Sequence, residues 1–353
     1  IADLLGDIHP LQAQEILAEL DNPEEVRPLL LYPDESAGGL MTSEYLAMRR
    51  RMTVKGAVEA VRSWGTGKGR LYYLYIVDSQ GHLAGVTDLQ TLISSAPNAL
   101  LMDIMEANIV SVDVHSDQEQ CAELMSRYDL IALPVINADN LLMGVITVDD
   151  VLDVLVDEAT EDIQKFGGAQ PLGVPYLLTK TTSVFQKRVL WLLLLFLTES
   201  LTGTVLRHFE TELASVVALS FFIPLLIGTG GNAGSQTTST IIRALAVGEM
   251  DIRDALRAFW HETRVGLLLG ATMAVVAYFR ALTWGSPSGL ALTVSLAILA
   301  IVIWANLLGA ILPTLAMRFK IDPTVVSGPV MSTLVDATGL FIYFSIAKMT
   351  LGI

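Results

Sequence analysis

An aspartate stands near the middle of the most C-terminal apolar stretch of this 353-residue chain, Pro329-Val-Met-Ser-Thr-Leu-Val-Asp336-Ala-Thr-Gly-Leu-Phe-Ile-Tyr-Phe-Ser-Ile-Ala347. The stretch is long enough to cross a bilayer, whose hydrocarbon core takes ~20 helical residues. An ionised carboxylate at that depth costs about 2.5–3.5 kcal/mol even on lenient insertion scales. A chain tolerates that cost where the carboxylate faces a water-filled path or a cation, so Asp336 reads as the cation site of an ion pathway. The alternative is a buried acid held by a neighbouring helix. Ser332 lies four residues earlier and shares the helical face of Asp336. Asp322, at the start of the same segment, can draw cations to the mouth or, followed by Pro323, simply cap the helix; the cap is the simpler reading.

A second run of acids lies far upstream. Between Asp149 and Phe166 stand Asp149, Asp150, Asp153, Asp157, Glu158, Glu161 and Asp162, with no basic residue before Lys165. Val151, Leu152, Val154, Leu155 and Ile163 supply a helical apolar face. On a helix the acids from Asp150 onward fall at i, i+3 and i+4 spacing, where like charges repel. A divalent cation relieves that repulsion, and hard carboxylate oxygens suit Mg²⁺ or Ca²⁺ better than softer metals. The competing reading is a solvated acidic face. A third signal is Gly228-Thr-Gly-Gly-Asn-Ala-Gly-Ser-Gln-Thr-Thr-Ser-Thr240, polar and glycine-rich at membrane depth, one turn after Pro224. Irregular backbone there is tolerated only where protein or water satisfies it. The expectation is a broken helix lining a pore; close helix packing through small residues is the alternative.

The elements that must position these groups divide the chain in two. Residues 1–183 hold 28 acidic and 11 basic residues, and residues 184–353 hold 9 and 11. With a mean hydropathy of +0.53, an acidic water-soluble half precedes a membrane half. The acidic balance excludes nucleic acid as a partner, because phosphates need Lys and Arg, and favours cations. Five apolar segments are expected, at about 186–206, 213–233, 262–284, 289–317 and 324–350. Lys187 and Arg188 precede the first segment; Arg243, Arg253, Arg257 and Arg264 lie between the second and third; Arg318 and Lys320 lie between the fourth and fifth. By the positive-inside rule the N-terminal half is cytoplasmic and the C-terminus is outside, with Lys348 able to snorkel there. Cys121 is the single cysteine, which excludes a disulfide framework and a thiolate metal cluster; it reads as a small core residue. The chain begins at Ile1 without a signal peptide, and Leu11, Ile16, Leu17 and Leu20 recur at helical spacing, interrupted at Pro23 and Pro28, as in the end of a longer helical domain. His9, His82, His115, His208 and His261 are scattered, no nucleophile–base pair is evident, and Gly228-Thr-Gly-Gly lacks the Gly-Lys-Ser/Thr of a phosphate loop. An enzyme or an ATP-driven pump is therefore disfavoured. An ion-coupled secondary transporter of divalent cations remains the rival, since such proteins also carry intramembrane acids.

Residues 40–160 contain a repeat of about 60 residues. Met41…Tyr75-Ile-Val-Asp78…Gly85-Val-Thr matches Met105…Pro134-Val-Ile-Asn137…Gly144-Val-Ile-Thr147, with turns at Ser79-Gln-Gly81 and Ala138-Asp-Asn140. This resembles a tandem pair of CBS domains, many of which bind adenosine nucleotides through a ribose-binding Asp. Copy two keeps an acid there, Asp150, whereas copy one has Thr91, which weighs against ATP. With the Ala37-Gly-Gly-Leu-Met41 lead-in, the acidic helix, Gly230-Gly-Asn-Ala-Gly-Ser-Gln236 and Leu334-Val-Asp-Ala-Thr-Gly339, nearly the whole chain resembles the MgtE family of bacterial magnesium channels. The resemblance implies a multidomain protein: the end of a helical N domain (1–36), an α/β CBS pair (37–100 and 101–148), an acidic connecting helix with its linker (149–183) and an all-α membrane domain of five transmembrane helices (184–353). It implies a homodimer in the bacterial plasma membrane, with the pore on the two-fold axis lined by the second and fifth membrane helices. Asp336 then holds hydrated Mg²⁺, with Ser332 and Asp322 adding contacts. Regulatory Mg²⁺ falls at Gly39, Asp129, Asp150, Asp153, Glu158, Glu161 and Asp162, closing the pore when cytosolic Mg²⁺ is high.

Overall fold

The computed structural model describes residues 29–64 and 71–353, with residues 12 and 16; the periodic leucines expected to form an N-terminal helix lie outside the described residues, Ile16 apart. The chain divides into two compact units, Ile1–Glu158 and Ala159–Ile353.

The first unit is the expected repeat. A short helix α1 (Ala37–Leu40) leads to β1 (Ala47–Arg49), α2 (Val54–Trp64), β2 (Tyr73–Val77), β3 (Leu83–Asp88) and α3 (Leu89–Ser94). The second copy follows with α4 (Leu101–Ile104), β4 (Val112–Asp113), α5 (Gln118–Arg127), β5 (Ala132–Ile136) and β6 (Leu142–Thr147). In each three-stranded sheet the first strand runs parallel to the second, and the second pairs antiparallel with the third. The hairpins close by the same device. Asp78 Oδ1 accepts from the backbone N–H groups of Gln80, Gly81 and His82 at 2.8, 2.9 and 3.0 Å. Asn137 Oδ1 accepts from Asp139 and Leu141 at 3.0 and 2.9 Å, so both turns are held by an Asx side chain. Gly81 and Asn140 take the positive φ these turns need, +99° and +59°,.

The copies interlock reciprocally. Thr42 of the first lead-in bridges to Val145 on β6, and Glu106 of the second bridges to Val86 on β3. Met41 thereby lies over Gly144 and Met105 over Gly85; a Cβ at Gly144 would sit 2.6 Å from Met41 Sδ, and one at Gly85 would collide with Met105. Each Gly-Val in the repeat is thus a seat for the other copy's methionine. Cys121 is fully buried among Val112, Leu133, Ile146 and Val151. Burial pushes its thiol up to about 12, so it packs as a small neutral residue.

A long helix α6 (Val148–Phe166) follows β6 directly. The second unit then holds α7 (Thr181–His208), a short α8 (Glu210–Ser215), α9 (Ile223–Ala246), α10 (Ala255–Thr283), α11 (Ser288–Arg318) and α12 (Gly328–Leu351). Among the described residues five helices are long and apolar enough to cross a membrane, in the order expected. Their interior is built on α11, which packs against α9, α10 and α12 and buries Val294, Ile298, Ile301 and Ala305 completely or nearly so.

The second apolar segment departs from expectation. The sequence reading ends it near residue 233 and breaks it at the glycines; instead α9 is one continuous helix to Ala246. Pro224 sits in its first turn, where proline is tolerated, after a 3₁₀ turn at Val217–Phe222. Two hydroxyls in the polar stretch bond their own helix, Thr229 to Leu225 O at 2.7 Å and Thr240 to Gln236 O at 2.9 Å, while Ser235 and Thr237 reach Gly328 O and Glu262 on neighbouring elements. The glycines are contact surface. A Cβ on Gly230 would lie 2.5 Å from Ile301 and 2.8 Å from Val335, and one on Gly234 would lie 2.9 Å from Met331. Small residues bring α9 against α11 and α12, so the close-packing reading holds here.

Candidate cation site

Asp336 lies on α12, half-buried, one turn after Ser332. Gly231 of α9 faces this stripe, since a Cβ there would stand 3.2 Å from Ser332 Oγ. Trp304 of α11 donates from Nε1 to Thr338 Oγ1 at 2.9 Å and braces the next turn of α12. Among the described residues the Asp336 carboxylate accepts no hydrogen bond and has no ion pair. The charge within its electrostatic reach is another acid, Glu199 of α7. No neighbouring helix among the described residues supplies the donor that the buried-acid alternative requires. Two carboxylates at membrane depth without a basic partner among the described residues repel each other and leave their charge uncompensated,.

Asp322 is different. It caps the 3₁₀ turn Pro323–Val325 through Thr324 N and Oγ1, at 2.8 and 2.5 Å, and not the membrane helix α12, which begins at Gly328 behind Ser327. Its other oxygen accepts from Lys165 Nζ at 2.7 Å, and Lys165 also pairs with Glu161 one turn back on α6. Burial pushes the Asp322 carboxyl up, but the bonds from Lys165 and Thr324 outweigh it and hold it below the usual range. Burial, then the charge of Asp322, raises neighbouring Asp162. The Lys165 ammonium thus occupies the place a cation would take.

The remaining expected regulatory residues are spread over the first unit. Gly39 N–H donates to Ser36 Oγ at 3.2 Å in α1. Asp129 follows α5 at a positive φ of 52°. Asp150 accepts from Thr147 Oγ1 at 2.6 Å, Glu158 accepts from Gln118 Nε2 at 2.7 Å, and Asp153 is exposed on α6. Among the described residues no three His, Cys, Asp or Glu side chains converge to hold a metal. In the first CBS copy Asp88 caps α3, bonding Thr91 N and Oγ1 at 2.6 and 2.9 Å; the bond from Thr91 N–H leads in keeping its carboxyl below the usual range.

Two further intramembrane acids, Glu199 on α7 and Glu262 on α10, are missing from the sequence-based candidates. Their signal is the same as that of Asp336, an ionisable residue inside an apolar span.

Comparison with known proteins agrees with this architecture. Residues 223–346 match the MgtE family, described as divalent cation transporters, and residues 101–157 match the CBS domain. The magnesium transporter MgtE of Thermus thermophilus is 43% identical over 327 residues, 93% of this chain and 72% of that protein. The magnesium transporter MgtE of Bacillus subtilis is 34% identical over 93% of this chain and 72% of its own length. A crystal structure of the cytosolic domain of the Mg²⁺ channel MgtE in complex with ATP is 40% identical, covering 43% of this chain and 64% of that one, with a TM-score of 0.42.

Proposed function

The chain belongs to the MgtE family of magnesium transporters, multi-pass membrane proteins and not enzymes, and from that premise we propose that it is a Mg²⁺-selective channel for magnesium uptake in which Asp336 holds the hydrated ion. The observation that carries this reading is the Asp336 carboxylate itself, which is inside a membrane helix, has another acid within reach and has no donor among the described residues. Mg²⁺ gives up its waters reluctantly and demands octahedral order. A carboxylate from each of two protomers on a two-fold axis would hydrogen-bond that shell without stripping it, holding the ion firmly enough to select and loosely enough to release. Ser332 extends the path on the same face, and Asp322 marks its mouth, neutralised by Lys165.

The acidic helix would act as the sensor. Mg²⁺ bound among Gly39, Asp129, Asp150, Asp153, Glu158, Glu161 and Asp162 would favour the closed pore through its differential affinity for that state. The arginines and lysines flanking the spans argue for a sensor on the cytoplasmic side. Asp150 keeps the second CBS copy open to ATP, while Thr91 disfavours it in the first. Mg²⁺ flux into liposomes tests the reading, with Asp336→Ala beside the parent and Mg²⁺ titrated on the sensor side. Lost flux in the variant, and parent flux that falls as Mg²⁺ rises, are expected. Undiminished flux in Asp336→Ala overturns the site, and flux that requires a second ion gradient turns the protein into a coupled transporter.

A further inference from the structure

Glu262 lies inside the membrane unit on α10 and is only 8% exposed. Its Oε2 accepts from Thr237 Oγ1 of α9 at 3.1 Å and from Asn306 Nδ2 of α11 at a long 3.4 Å. Thr237 is 6% exposed and Asn306 fully buried, and Asn306 Oδ1 has no partner among the described residues. The other Glu262 oxygen looks toward His261 Nδ1, 3.4 Å away on an imidazole that is 73% exposed. Among the described residues no lysine or arginine pairs with Glu262. A buried carboxylate held by neutral, stretched bonds lacks compensation. Turning the Asn306 amide by 180° exchanges its nitrogen and oxygen at the same positions. That turn gives up the long Asn306 Nδ2 bond, and with the Thr237 hydroxyl proton rotated away three oxygens from three helices face one another, an arrangement that a positive charge would hold together.

We infer that Glu262, Thr237 and Asn306 form a binding site for a dehydrated, sodium-sized monovalent cation within the membrane bundle. The spacing selects the size. Neighbouring ligands in an octahedron stand √2 times the metal–oxygen distance apart, so separations of 3.1 and 3.4 Å correspond to about 2.2–2.4 Å, longer than the ~2.0–2.1 Å of Mg²⁺. The charge selects the valence, because one carboxylate neutralises one monovalent ion and leaves no net charge in the apolar interior. Close packing excludes a hydrated ion, since a Cβ on Gly309 beside Thr237 would lie 2.8 Å from Gly234 O. This site does not depend on Asp336 or on the channel reading.

The test is thermal unfolding of the full chain in detergent at about pH 8.5, where an ordinary imidazole is neutral. NaCl replaces choline chloride at constant ionic strength, with KCl as the comparison. Sodium raises Tm by about 3–5 °C at tenfold its half-saturating concentration, and potassium by less. Glu262→Gln loses the sodium response, and Thr237→Val, a milder change should the first variant fail to fold, weakens it at least about tenfold. Asp336→Asn keeps it. A parent protein that responds no more to sodium than to choline overturns the site. So does full retention of the response in Glu262→Gln and Thr237→Val, or its loss in Asp336→Asn.

Discussion

Asp322 and Asp336 flank the first half of one membrane helix, and both were candidate cation ligands. Asp322 is saturated: Thr324 fills one oxygen and the Lys165 ammonium the other. Asp336 has no donor among the described residues and has Glu199 within reach. An acid that finds a lysine in its own chain has its charge neutralised on folding. An acid left with a second acid keeps its charge uncompensated, and the proposed transport site would use that charge to hold a cation.

The largest effect expected from this contrast is on flux. Asp336→Ala lowers Mg²⁺ flux in liposomes by at least about tenfold, because hydrogen bonds to a charged group contribute about 1.5–3 kcal/mol each; an unchanged rate would erase the contrast. Next is the packing that presents the Asp336 face. Gly230→Val drives a side chain into Ile301 and Val335, an overpacking that costs about 1–3 kcal/mol and lowers Tm in detergent. An unshifted Tm would mean that α9 and α12 have room to part.

Lys165→Met should turn Asp322 into an acid like Asp336. The pair is about a third exposed, so the direct loss is under about 1 kcal/mol. The informative readout is the gain: Mg²⁺ should raise the Tm of this variant more than that of the parent. Equal responses would show that Lys165 does not stand in for a cation.

The smallest effect is on pH dependence, and its two arms have opposite signs. Asp162 is raised in the fold, so its cost is present at neutral pH and is relieved as pH falls through that raised value. Asp322 is depressed, so its contribution is present above the ordinary carboxylate value and is lost as pH falls through the folded value, below about 4. Tm followed from pH 7 downward in the parent should rise slightly and then fall, and Lys165→Met should flatten the fall. A monotonic fall would remove Asp162 from the cluster.

Five spans, the repeat with its two turns, the buried cysteine and the acidic helix were legible in the sequence, because each rests on local composition, internal similarity or periods of 2 and 3.6 residues. The glycine-rich stretch was not. Its polarity suggested a break, yet Thr229 and Thr240 return their hydroxyls to carbonyls four residues back, and Gly230 and Gly234 are spent on contacts with α11 and α12. A polar helix that packs tightly and a polar loop that lines a pore have the same letters.

The sequence by itself determined where the acids are and that three of them, Glu199, Glu262 and Asp336, fall inside apolar spans away from their first turns. Only the tertiary structure decided which acids keep an unmet charge. Lys165 reaches Asp322 across 157 positions, and Asn306 reaches Glu262 across 44. Such pairings arise from helix packing, which places distant residues side by side, and the free energy of a buried charge depends on what lies within a few ångströms of it.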